Sequence, residues 1–366
     1  MSWNRPYPLC HSLPLWRICE HMSVGLAFSG GADSLLALSL LQEQGHAPVA
    51  VHASFLGPGA GEDRLQEELS AICTQLNVPL HCLDLHQEFY RLVIEPFIRA
   101  YARGVTPNPC SWCNRRIKFG ILRQAVQDLG LGRVATGHYA QINWECSFPP
   151  GLFRGRDRDK DQSYFLALVH WEDLQCALFP LAQWTKDRVR SELTARGLQP
   201  ALGRESQEIC FIPDNDYRSF LAAQDVSLPG PGNIVDAGGR ILGRHQGLHR
   251  YTLGQRRGLG IAHSEPLYVL QKDMDENVLV VGPRRQLQAS FCRVRPVNIL
   301  VEMDSWPERV WVQTNYRQRA GPARVQIMDG DLEVCFEQPR PPATPGQIAV
   351  LFSEQGRVLG GGEIYA

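Results

Sequence analysis

Residues 24–28 are apolar, 29–34 are small and polar, and from Leu35 the leucines recur at 36, 38, 40 and 41. This pattern predicts a buried strand, a tight glycine turn and an apolar helix that stops at Gly45. Residues 48–54 read as the next strand, 64–76 as an amphipathic helix and 80–85 as a third strand. Strands alternating with helices predict an α/β domain built on a parallel sheet. Further along, 118–129 reads as helix, 133–136 as strand, and 162–168 with 188–196 as more helix, which takes this first domain to about 23–215. Residues 225–262 are too dense in glycine for regular helix, and they mark a small central domain over 216–290. After Arg293 short alternating strands at 310–316, 324–328, 332–336 and 348–352, parted by Gly and Pro turns, predict a C-terminal all-β barrel-like domain over 291–366.

Composition narrows the class of protein. Of the 366 residues 44% are hydrophobic and 20% charged, values that exclude a collagen-like or disordered chain. Asp33 interrupts the longest apolar stretch, around 24–41, so no run reaches the roughly 18 residues that span a bilayer. Residues 1–22 contain Trp3, Pro6, Pro8, Pro14 and Trp16 without a basic stretch leading into an apolar one, so they do not read as a secretory leader. They read either as an extension or as a misread start, and the chain is expected to be cytoplasmic and free of membrane. Its 11 cysteines, odd in number and dispersed, suggest reduced thiols rather than a disulfide framework. With 37 basic and 38 acidic side chains the net charge is -1, which excludes a uniformly basic nucleic-acid coat but leaves local patches open.

The turn Ser29-Gly30-Gly31-Ala32-Asp33-Ser34 lies between a buried strand and a helix. There the unpaired N–H groups and the positive end of the helix favour an anion such as phosphate. Gly30 and Gly31 let the backbone approach it, and Ser29 and Ser34 add hydroxyls. No Gly-Lys-Ser/Thr follows, so this is not a loop for γ-phosphoryl transfer. An ordinary capped turn is the plainer alternative.

Two segments carry candidate thiols. In Thr106-Pro107-Asn108-Pro109-Cys110-Ser111-Trp112-Cys113-Asn114-Arg115-Arg116-Ile117-Lys118-Phe119 the prolines force extended backbone. Arg115, Arg116 and Lys118 are expected to lower a nearby thiol's pKa and favour thiolate. A Cys-x-x-Cys can be a redox pair, half of a metal site or a buried thiol pair. The second segment is Ser206-Gln207-Glu208-Ile209-Cys210-Phe211-Ile212, where an isolated cysteine is by itself most often core.

The hexapeptide resembles the pyrophosphate loop of the ATP pyrophosphatase superfamily, which cleaves ATP between the α and β phosphates. Together with the two thiol segments, Ala135-Thr136-Gly137-His138-Tyr139, Lys160-Asp161-Gln162-Ser163-Tyr164-Phe165-Leu166, the block 251–260, Tyr316-Arg317-Gln318 and Thr344-Pro345-Gly346-Gln347, the order is similar to that of bacterial and organellar tRNA-specific 2-thiouridylases. The likeness runs from Val24 to the C-terminus. It implies a tRNA-uridine 2-sulfurtransferase that uses ATP with Mg2+ to adenylate the C2 oxygen of a wobble uridine. Sulfur then comes from a cysteine persulfide, and AMP and pyrophosphate are released. The implied ATP contacts are Ala27, Phe28, Ser29, Gly30, Gly31, Ala32, Asp33 and Ser34, with Ser54 and Gly137. Cys210 would carry the persulfide and Cys113 would be its partner, able to close a Cys113–Cys210 disulfide. Asn108, Pro109 and Cys110 would contact the target base, and His138, Lys160, Asp161, Gln162, Asn315, Tyr316 and Gln347 the tRNA. Arg154, Arg156, Arg158, Arg256 and Arg257 are candidates for its phosphates. The implied partners are the anticodon loop of tRNA and a sulfur-donor protein, either a cysteine desulfurase or a relay carrier.

Two departures from the family pattern leave alternatives open. Cys110 stands where some members carry Asp, so Cys110, Cys113 and Cys210 could instead hold a [4Fe-4S] cluster. The segment 52–63 replaces one that typically carries Met and Trp. The rival readings are another adenylating enzyme of the superfamily, and a tRNA- or nucleotide-binding protein without turnover.

Overall fold

The computed structural model describes residues 23–144, 150–203, 209–328 and 330–365. The expected extension over 1–22 and the Ser206, Gln207 and Glu208 part of the second thiol motif lie outside the described residues.

The first domain opens with β1 (Val24–Ala27), α1 (Ala32–Glu43), β2 (Pro48–Ser54), α2 (Ala60–Gln75) and β3 (Leu80–Asp84). After two long helical runs, 86–102 and 109–128, come β4 (Arg133–Ala135), the hairpin β5 (Ala140–Asn143) and β6 (Gly151–Arg154), and the short β7 (Ala177–Leu178). The order β3-β2-β1-β4-β7 makes one parallel sheet. Successive side chains of a strand face opposite ways, so both faces need cover. Val24, Leu26, Ala50 and Ala135 face α1 and the helix Lys186–Ala195, while Val51 and Val134 face the 86–102 and 109–128 helices. Helix α1 is apolar nearly all round because it is sandwiched between the sheet and Val189 and Leu193.

The expected helix at 162–168 shrinks to Ser163–Leu166, and the one at 118–129 begins earlier, at Pro109. From Asn114 to Leu122 this run widens into π-helix. The long helical run 86–102 and the β5–β6 hairpin carry too mixed a pattern to be read from periodicity.

The glycine-dense centre is a four-stranded sheet, β8 (Gly232–Asp236), β9 (Ile241–His245), β10 (Leu267–Asp273) and β11 (Val278–Pro283), around Ile234, Val269, Leu279 and Val281. The last strands, β12 (Ala289–Ile299), β13 (Val310–Gln313), β14 (Gly321–Met328), β15 (Asp331–Arg340), β16 (Ile348–Phe352) and β17 (Val358–Ile364), close a six-stranded barrel in the order β12-β15-β14-β13-β16-β17.

Strand β17 escapes a propensity reading because of Gly360, Gly361 and Gly362. A Cβ on Gly362 would lie 2.6 Å from the Pro296 carbonyl, and one on Gly361 3.1 Å from Ala167 of the first domain. Strand β16 is buried on both faces. Ala349 and Leu351 fill the barrel, while Ile348, Val350 and Phe352 join the apolar cluster of the first domain. The Tyr164 hydroxyl donates to the Ile348 carbonyl at 2.8 Å, and the Asn298 amide donates to the Ala167 and Val169 carbonyls at 2.9 and 2.8 Å. Barrel and sheet domain therefore share a core.

Candidate active site

The chain leaves β1 for β2 on one side and returns to β4 on the other, so β1 and β4 flank the point where the strand order reverses. The carboxyl ends of the strands at such a reversal are where open α/β sheets take ligands, and residues 28–31 and 136–137 follow β1 and β4 at that end. Gly30 holds φ +78°, a conformation that favours glycine, and Gly31 begins α1 without a side-chain cap. The first-turn N–H groups therefore remain available to an anion. The Ser29 and Ser34 hydroxyls lie 3.2 Å apart, and Ser34 donates to the Gly31 carbonyl at 3.0 Å. Gly137 packs on the first turn of α1, where a Cβ would stand 2.9 Å from the Asp33 carbonyl carbon and 3.0 Å from the Ser34 nitrogen.

Two groups that sequence reasoning missed complete this half of the site. Lys186, its side chain 7% exposed, donates to both Asp33 carboxylate oxygens at 2.8 Å, and the Tyr139 hydroxyl donates to Asp33 Oδ1 at 2.6 Å. Thr185 caps the helix that begins at Lys186, which signals a helix start but not where the lysine points.

At the end of β2, Ser54 is buried, with its hydroxyl turned toward the Glu62 carboxylate. His52, also buried, links the Phe28 carbonyl at 3.0 Å to Glu62 at 2.9 Å. Burial works to raise the Glu62 carboxyl, but hydrogen bonds from Gln66 and His52 outweigh it and leave the pKa lowered. The unusual 52–63 segment thus supplies a local His–Glu bridge.

Cys113 packs in the cluster that covers the other face of the sheet, with Val51, Val134 and the 86–102 and 109–128 helices. Asn108 caps the helix, accepting from the Ser111 N–H at 3.1 Å, and Pro109 takes the first helical position. Cys113 is buried and Cys110 half-buried, whereas Cys210 is exposed as a residue although the groups packed around its sulfur still desolvate the thiol. The charges of all three would interact with one another, and Lys118 acts on each. An α-helix would turn Lys118 away from Cys113, whereas the wider π turn brings residues five apart closer to one face.

The expected thiolates are corrected. Burial pushes Cys110 up to about 11, Cys113 up to about 12 and Cys210 upward, and the opposing pull of Lys118 is smaller than burial. Arg115 turns to His170 at 3.1 Å, while Arg116 donates to the Leu92 carbonyl and lies over Trp112. Neither acts on the thiols, which rest protonated. No group of three or more Cys, His, Asp or Glu side chains among the described residues is arranged to hold a metal ion.

His138 joins the two halves. It follows Gly137, hydrogen-bonds Thr136 at 2.7 Å and rests 6.2 Å from the Phe119 ring. Burial and then Lys118 hold its pKa well below the usual histidine range, so it is neutral.

Several residues expected at the tRNA have internal duties. Asp161 is buried and accepts from the Gly155 and Ser163 N–H groups, the Ser163 hydroxyl and Arg154. Arg154 also reaches Gln313 and covers the Phe352 ring at 3.6 Å. Gln162 accepts from the Tyr139 N–H at 3.0 Å. The Gln347 amide donates to the Thr106 and Pro107 carbonyls at 3.0 and 3.1 Å. Lys160 follows the Asp157 turn, and the Asn315 side chain accepts from the Arg317 N–H at 3.0 Å. Tyr316 rests against Phe165, ring centroids 4.4 Å apart, and burial, Asp161 and Asp157 raise its pKa. Arg156, Arg158, Arg256 and Arg257 remain exposed.

A strand-order reversal, a phosphate cradle and a parallel sheet define an adenine-nucleotide α/β domain, here joined to two β domains. The family described as tRNA methyl transferase HUP domain matches residues 22–214. The tRNA methyl transferase PRC-barrel domain matches 218–283, and the aminomethyltransferase beta-barrel domain matches 289–364. A tRNA-specific 2-thiouridylase MnmA of Nitratidesulfovibrio vulgaris strain Miyazaki F is 48% identical, the alignment covering 94% of this chain and 99% of that one. The protein of the same name in Lawsonia intracellularis is 45% identical over the same shares. The chain belongs to the tRNA-specific 2-thiouridylase family. Among solved structures, the U34-tRNA thiolase NcsA of Methanococcus maripaludis with its [4Fe-4S] cluster aligns at a TM-score of 0.35 and 18% identity over 55% of this chain and 64% of that one, too distant to bear on the sulfur chemistry here. No described helix is long and apolar enough to cross a membrane.

Proposed function

We propose that this chain is a tRNA-uridine 2-sulfurtransferase that activates the wobble uridine with ATP and replaces its C2 oxygen by sulfur. The observation that carries the reading is the Gly137–His138 step. One residue packs on the phosphate cradle, and the next shares the field of Lys118 with the three thiols. A uracil held between them can meet the α-phosphate on one side and sulfur on the other.

The C2 oxygen attacks the α-phosphorus of ATP and pyrophosphate leaves, which converts a poor leaving group into AMP. The α1 N-terminus, Ser29 and Ser34 hold the phosphates, while Lys186 and Tyr139 fix Asp33 beside them. Asp33 accepts from Lys186 and Tyr139, and Mg2+ arriving with ATP would supply charge neutralisation of the phosphates.

The terminal sulfur of a Cys210 persulfide then attacks C2 and expels AMP. The Cys113 thiolate attacks Cys210 Sγ, the sulfur–sulfur bond breaks, and the outer sulfur stays on the base. The resulting Cys113–Cys210 disulfide is reopened by an external dithiol. Cys210 is the most exposed residue of the three, as reception of sulfur from a desulfurase or relay protein requires. The exposed Arg156, Arg158, Arg256 and Arg257 offer local positive charge to the tRNA backbone. A reducing, cytoplasmic setting fits these free thiols. The three thiols are not arranged as metal ligands, so no step is routed through an iron–sulfur cluster.

Iron-free protein given tRNA, ATP, Mg2+ and a persulfide-charged desulfurase is expected to form 2-thiouridine with one AMP per modified base. Failure under these conditions, with activity restored only by loading iron, would return the cluster alternative. The rate should also climb with pH. Because the thiols are held protonated, the thiolate fraction grows about tenfold per pH unit below their pKa. Single-turnover rates between pH 7 and 9 check this, and a flat profile in a chemistry-limited assay would mean that thiolate formation does not limit transfer.

A further inference from the structure

The segment Thr106-Pro107-Asn108-Pro109 leads into the cysteine turn, and its two prolines have no N–H to give a strand or helix ladder. Such a segment cannot hold its own shape, and its carbonyls need donors from elsewhere. Those donors come from the C-terminal barrel. The Gln347 amide spends its nitrogen on the Thr106 and Pro107 carbonyls at 3.0 and 3.1 Å, and the Thr106 N–H donates to the Pro345 carbonyl at 3.1 Å. Gln347 is itself locked, its N–H bonded to the Thr344 carbonyl at 3.1 Å and its carbonyl accepting from the Ile364 N–H at 2.8 Å. Gly346 permits the close approach. It has φ +87°, and a Cβ there would meet the Val105 side chain at 2.3 Å and the Thr106 carbonyl at 2.8 Å. The next residue after the clamp, Asn108, caps the helix that carries Cys110 and Cys113. A second strut from the barrel, Glu363, takes a hydrogen bond from Trp112 between the two cysteines.

We propose that Gln347 is a positioning residue for sulfur transfer. From the barrel it holds the 106–107 backbone, and through the Asn108 cap it sets where Cys110 and Cys113 stand. The consequence for catalysis rests on the sulfurtransferase reading above, whereas the clamp itself does not. The barrel is then part of the sulfur site as well as a platform for tRNA.

The test uses the full chain with Gln347→Met, which keeps the shape without donors, Gln347→Glu, which removes the donors differently, and Gln347→Lys, which keeps an N–H donor. Thiolation kcat is expected to fall about ten- to hundredfold in the first two, as for a displaced reacting group. The KM for tRNA should stay within about twofold, and Gln347→Lys should recover part of the rate. Alkylation of Cys113 by iodoacetamide in the absence of tRNA and ATP should quicken in Gln347→Met. A raised KM with unchanged kcat and unchanged alkylation would make Gln347 a tRNA contact and overturn the proposal. If the wild-type chain thiolates no tRNA, the functional reading fails by itself. Alkylation then decides the clamp, and equal rates in wild type and Gln347→Met refute it.

Discussion

Cys210→Ser is expected to bring 2-thiouridine formation to background, a loss of at least about a thousandfold, as when a nucleophile is removed from an enzyme. Pyrophosphate release driven by tRNA should continue, because the phosphate cradle and Lys186 are untouched. A serine hydroxyl cannot hold a second sulfur, so the variant separates activation from transfer. Cys113→Ser should also abolish release of thiolated tRNA while leaving tRNA affinity unchanged. Charged with sulfur in the absence of tRNA it should hold a Cys210 persulfide, and with tRNA and ATP it should stall as a covalent Cys210–disulfide–tRNA adduct that a reductant releases, both visible by mass spectrometry. Cys110→Ser discriminates the two sulfur routes. It keeps most activity if Cys210 and Cys113 suffice, and loses it together with bound iron if three thiols act as ligands. Thiolation persisting in Cys210→Ser would remove that residue as the sulfur carrier.

The second large effect is expected at Gly137, through the other half of the reaction. Gly137→Ala places a methyl group 2.9 and 3.0 Å from backbone atoms of Asp33 and Ser34. Backbone cannot swing aside as a flexible side chain can, so the first turn of α1 must shift. Overpacking of this kind costs about 1 to 3 kcal/mol of stability. Activity should suffer more, because a displacement near an ångström at the phosphates costs about a hundredfold. Pyrophosphate release should therefore collapse while the melting temperature falls only a few degrees. If adenylation proceeds at the wild-type rate in the folded variant, the turn at Gly137 is not where the nucleotide is activated.

Much of this architecture is legible in the chain because local and global demands agree. The apolar run 24–28, the glycine turn and the leucine-rich helix each have one stable solution, and stacking them forces a parallel sheet with its switch point at 29–34. The barrel strands are less legible. β17 carries three glycines where its neighbours press close, so propensity argues against the strand that packing demands. The pairing of Lys186 and Tyr139 with Asp33 joins positions more than a hundred residues apart in the chain. No periodicity signals it.

The thiols show the same division most clearly. Basic neighbours in the sequence suggest depressed pKa values, but Arg115 and Arg116 point elsewhere and burial lifts all three. Charge adjacent along a chain acts on a group only if folding brings it near, whereas desolvation depends on everything the fold packs around it. Asp161, Gln162 and Gln347, which the family likeness assigns to tRNA, are likewise tied into the protein interior. The sequence by itself determined the kind of chemistry: a phosphate cradle, a set of cysteines and the order of three domains. Only the tertiary structure decided which charges those groups experience and which residues hold them, because both depend on contacts between segments far apart in the chain.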